Sequence, residues 1–104
     1  MNALSLLYSP FPDAESTTRA AQALLEQKLA ACCNLLPGTQ SLYWWEGRIA
    51  QASEVILIVK TPPALAAQAA DALAQLHPYG CPAILQLSAA ANAAFAQHVH
   101  TTLS

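Results

Sequence analysis

The chain has 104 residues, enough for one two-layer domain over 1–104 and too few for two of ordinary size. Its net charge is -2 with four Lys plus Arg, which leaves no basic footprint for nucleic acid or anionic lipid. Only 10% of residues are charged against 55% hydrophobic, much of it alanine, so part of the surface is expected to be shared between copies of the chain.

Ala3 to Tyr8 reads as a strand, closed by Ser9-Pro10-Phe11-Pro12, where two prolines remove ladder donors. Asp13 is a helix N-cap, and from Ser16 the residues Ala21, Leu25 and Leu29 recur at helical spacing, giving an amphipathic helix to about Ala30. Cys32 to Leu36 and Thr39 to Trp45 are strand-like, and Pro37-Gly38 between them marks either a bulge in one long strand or a break between two. In a strand Tyr43 and Trp45 share one face, Leu42 and Trp44 the other.

Glu46-Gly47 turns the chain, and Ile49 starts a return into Val55-Ile56-Leu57-Ile58-Val59, a β-branched run suited to a central strand. Thr61-Pro62 looks like a helix cap followed by proline at the first helical position, with Leu65, Ala69, Leu73 and Leu76 as the buried stripe. His77-Pro78 ends that helix, Cys81 to Leu87 forms the last strand, and an alanine-rich helix is expected from Asn92 to about Thr102. The order β-α-β-β-α-β plus a C-terminal helix predicts an α+β, ferredoxin-like sandwich with both main helices on one face of an antiparallel sheet. The other face is then bare, and another subunit should cover it.

The apolar N-terminal run is too short for a signal sequence and no stretch is long enough for a membrane helix, so a cytoplasmic protein is expected. Three cysteines, an odd number that includes an adjacent pair, fit free thiols in a reducing compartment. No glycine-rich phosphate loop, GxSxG, HExxH or CxxC occurs, which removes the motif-borne enzyme classes. Cys32 is first a small packing residue and, failing that, a soft donor; His77 sits in a helix-to-strand loop, where it either caps the helix or binds a ligand. His98 and His100 fall on nearly opposite sides of a helix and cannot share a metal within one chain. Lys60, Glu46 and Glu54 flank the hairpin as an anion or metal site, or as an ordinary solvated rim.

Four segments taken together resemble the CutA divalent-cation tolerance proteins: KLAACCNLLPG (Lys28 to Gly38), SLYWWEG (Ser41 to Gly47), EVILIVKT (Glu54 to Thr61) and HPYGCPAI (His77 to Ile84). The resemblance implies a homotrimer assembled through long β-hairpins, which places Tyr43, Trp44 and Trp45 at the subunit interface. It also implies an association with copper or another divalent cation, no organic cofactor and no enzymatic activity. Cys32 and His77 carry over as metal donors. Gly80 and Ala83 stand where the family usually has oxygen donors, and Ser9 where some members have cysteine, so Cys81 becomes the substitute donor. The family is similar in architecture to the P-II signalling proteins, which implies a second reading: a sensing or scaffold module binding an anionic metabolite between subunits through Lys60 and Tyr79. An acylphosphatase-like activity would need an arginine in SPFPDAE, which has none.

Overall fold

A computed structural model describes residues 1–104. Four strands, β1 (Asn2–Phe11), β2 (Cys32–Trp45), β3 (Arg48–Thr61) and β4 (Leu85–Ala91), form one antiparallel sheet in the order β2-β3-β1-β4. Three helices accompany it: α1 (Ala14–Glu26), α2 (Ala66–Leu76), which follows a 3-10 turn at Pro63–Leu65, and α3 (Ala93–Leu103). The expected α+β sandwich is the one observed.

The core lies between one sheet face and the pair α1 and α2. Leu7, Phe11, Leu57 and Val59 point from the sheet into Ala20, Ala21 and Leu24 of α1 and Ala69 and Leu73 of α2. Alanines on the inner helix faces let the large side chains come from the strands and from two leucines. The opposite face is not wholly bare, as the element order implied. α3 packs against β1, burying Ala96 and Val99, and Lys60 places its ammonium 5.4 Å from the centre of the Phe95 ring. Leu36, Leu85 and Leu87 remain exposed there, since Leu85 and Leu87 pair with Tyr8 and Leu6, on the side away from α1 and α2.

Several boundaries differ from the sequence reading for identifiable reasons. α1 begins as expected, with the Asp13 carboxylate accepting from the Ser16 amide at 2.7 Å, but it stops at Glu26 and not near Ala30. Lys28 takes φ 59, and paired bonds from Leu29 N–H to the Leu24 carbonyl and from Lys28 N–H to the Leu25 carbonyl close a Schellman motif. Lysine occupies the position glycine normally holds, so composition concealed the stop. Lys28→Gly is therefore expected to raise stability by about 1 kcal/mol, because a left-handed L-residue costs roughly that much. Urea unfolding measures it, and an unchanged or lower midpoint refutes it.

β1 runs on through Pro10 because its amide position faces the side that β4 vacates after the Tyr8–Leu85 pair. β4 itself starts at Leu85, with residues 81–84 irregular and Ala83 tied by its carbonyl to the Ser9 hydroxyl at 2.7 Å. Thr61 is not a helix cap. It belongs to β3 and donates its hydroxyl to the Leu29 carbonyl at 2.8 Å.

β2 and β3 form a hairpin far longer than the rest of the sheet. β1 pairs with β3 only from Thr61 to Val55, so the arm beyond Glu54 is two-stranded, and the molecule measures 45 × 25 × 22 Å. Glu46 and Gly47, with φ 50 and 76, form the two-residue turn that suits a twisted hairpin. At Pro37-Gly38 the strand is bulged: Leu36 pairs with Ile56 and Thr39 with Glu54, so two residues of β2 stand opposite Val55. Gly38 at φ 81 supplies the conformation this needs. The extra residue moves the odd-numbered side chains of β2 to the other sheet face. Cys33 and Leu35 pair with Val59 and Leu57 toward the core, whereas Thr39, Ser41, Tyr43 and Trp45 share a face with Glu54.

Candidate functional site

The site forms where β1 ends and the α2–β4 loop crosses it. His77 is 8% exposed and stacks on Phe11, ring centres 4.0 Å apart. Its Nε2–H donates to the Pro10 carbonyl at 2.9 Å and its Nδ1 accepts the Tyr79 N–H at 3.2 Å, which fixes the neutral tautomer. The imidazole thus pins the loop to the end of β1 and does not cap its own helix.

Burial lowers the His77 pKa below its ordinary 6.5, against the raising effects of the Pro10 carbonyl and Glu54. The unfolded chain then binds more protons than the folded one below that value. Stability supplied by neutral His77 is full above 6.5 and is lost as pH falls through the folded value. Urea midpoints of metal-free protein should therefore decline through this window, and His77→Gln should flatten the decline; identical pH profiles for the two proteins would refute the assignment.

Tyr79 reaches across to donate its hydroxyl to Glu54 Oε2 at 2.8 Å. Burial and the Glu54 carboxylate push the Tyr79 pKa up to about 12, so the phenol stays a donor. Glu54 is 9% exposed and stands on β3 at the first position past the end of β1. These side chains, with Pro10, Tyr43, Trp45 and Cys81, line a cavity of about 890 Å³. Glu54 is the only charged residue in its wall.

The sequence-derived candidates are divided between two places. Cys81 and Tyr79 line this cavity, as do Tyr43 and Trp45, and His77 stands behind Tyr79 on Phe11, while Trp44 projects from the opposite face of the arm. Cys32 pairs with Lys60, which pairs with Leu6, four residues along β1 from Pro10 and so about 13 Å away at ~3.3 Å per residue. Lys60 is six positions from Glu54 on β3, roughly 20 Å by the same rise, and thus apart from Tyr79. Cys33, the neighbour of Cys32, faces the core, and burial raises its thiol to about 11. Within one chain no three His, Cys, Asp or Glu side chains converge on a common metal position. Glu54 is the residue that sequence reasoning undervalued. Its signal was a lone acid at the mouth of the apolar run of a central strand.

A family described as CutA1 divalent ion tolerance protein matches residues 5–102. This chain belongs to that family. The divalent-cation tolerance protein CutA of Pectobacterium atrosepticum is 45% identical over 76 residues, 73% of this chain and 69% of that protein. CutA of Pyrococcus horikoshii is 39% identical over 82 residues, 79% of each chain. Among solved structures, CutA1 from Ehrlichia chaffeensis superposes with a TM-score of 0.94 at 36% identity, covering 100% of this chain and 98% of its own. The periplasmic divalent cation tolerance protein CutA from Archaeoglobus fulgidus gives 0.92 at 34% identity, covering 97% and 99%. CutA1 membership therefore extends over the sheet, the long arm and the loop at His77 alike.

Proposed function

We propose that this protein confers tolerance to divalent cations by binding them, copper foremost, as a cytoplasmic homotrimer that catalyses no reaction. The carrying observation is the match of the CutA1 divalent ion tolerance family to residues 5–102. Cys32 and Cys81 supply soft donors suited to copper, and three free thiols suit a reducing compartment. His77, the imidazole inside the site, has both nitrogens engaged, so it offers no free base for catalysis; a metal reaches it only by displacing the Pro10 carbonyl or the Tyr79 amide. The donors Cys32, His77 and Cys81 do not fit a closed site in one chain. A metal site on this reading draws its donors from more than one subunit.

Native mass measurement with and without copper tests the assignment. A trimer that retains copper, with less retained by Cys32→Ser and by Cys81→Ser, is expected. Retention no greater than that of a protein lacking histidine and cysteine would overturn it. Within one chain Lys60 lies away from Tyr79 and the cavity beside Tyr79 carries a carboxylate, so the anionic-ligand reading, like the metal one, needs groups from two subunits.

A further inference from the structure

We propose that the cavity at the end of β1 binds an organic cation with an alkylated ammonium head. Glu54 is almost fully buried at its wall, yet its carboxylate receives one hydrogen bond, from the neutral Tyr79 hydroxyl. No Lys, Arg or His approaches it within 4.0 Å; the chain's one ion pair joins Arg19 to Glu15 on the exposed side of α1. No buried side-chain oxygen of the protein lacks a partner, so the second Glu54 oxygen, which receives no hydrogen bond, opens to the cavity, where a bound cation would supply the counter-charge the protein does not.

The surrounding walls select the kind of cation. Tyr43 and Trp45 are brought onto the Glu54 face by the bulge at Pro37-Gly38, and Tyr79 closes the loop side, so three aromatic rings border one carboxylate. Aromatic faces attract weakly hydrated cations such as quaternary ammonium groups. Hard divalent ions instead demand several oxygen ligands, and the wall offers a single carboxylate. A cavity of about 890 Å³ also matches a small organic molecule and far exceeds a bare ion.

Metal-stripped, assembled protein titrated with choline, and with its neutral isostere 3,3-dimethylbutan-1-ol, tests this by calorimetry and tryptophan fluorescence. Saturable choline binding, at least about tenfold tighter than the alcohol, is expected, because the two share a shape and differ in charge. Glu54→Gln, which keeps an acceptor for Tyr79, should weaken choline by a similar factor, and Trp45→Leu should weaken it with the fold intact by circular dichroism. Absence of saturable choline binding, equal affinity for the two probes, or undiminished binding by Glu54→Gln each overturns the proposal. Should Glu54→Gln fail to fold, the probe comparison on the unaltered protein and the Trp45→Leu titration decide. Copper retention is measured separately, so failure here leaves the metal assignment standing, and the converse holds.

Discussion

Trp44→Glu combined with Ile49→Lys is expected to turn the proposed trimer into monomers that keep the protomer fold. Trp44 and Ile49 are a cross-strand pair, Leu42 is two residues along on the same face, and the three are 74%, 67% and 70% exposed. A single chain has nothing to place against them. An isolated two-stranded ribbon is marginal in water, yet this one extends well past the third strand. Burying three such side chains at a neighbour contributes about 1.5–3 kcal/mol each, and tryptophan is a frequent interfacial hot spot. Two charges on that face remove most of this and add desolvation. Native mass and light scattering read the outcome, and an undisturbed trimer would show that the arm serves something other than assembly.

Phe11→Ala is expected to cost about 3–5 kcal/mol, the range for emptying a buried aromatic site. That is a large share of the roughly 5–15 kcal/mol available to a domain. Phe11 is fully buried between sheet and helices, and its ring is the surface on which His77 stacks. Truncation therefore opens the core and loosens the loop that carries Tyr79 and Cys81. Two signals should move together: the urea midpoint falls, and tryptophan emission from the arm shifts as the cavity wall relaxes. A loss under about 1 kcal/mol would mean that the core closes over the gap, contrary to the packing described.

The fold was legible where periodicity and punctuation agreed. Asp13, the Val55–Val59 run and the Glu46-Gly47 turn each announced their element. The reading slipped where a residue acted against its type. Lys28 adopted a glycine's conformation, Thr61 looked like a cap but bonded backward to Leu29, and Pro10 stayed in a strand because its neighbour strand had ended. The site was harder to see because its logic is three-dimensional. His77, Tyr79 and Cys81 were picked out from one loop, but Glu54 joins them only because β3 outruns β1. Parity alone placed Tyr43 and Trp45 on a common face. Which face that would be depended on two residues opposite one at Val55.

That mismatch confines its effect to one point of the ribbon. Deleting either Pro37 or Gly38 would leave a single residue opposite Val55 with Thr39 still against Glu54, so Tyr43 and Trp45 would keep their face and their partners on β3. What would be lost is the local bend and added twist that a bulge gives its strand. The segment therefore behaves as an expansion joint: it takes up one surplus residue of β2 and leaves the pairing of the arm beyond it as it was.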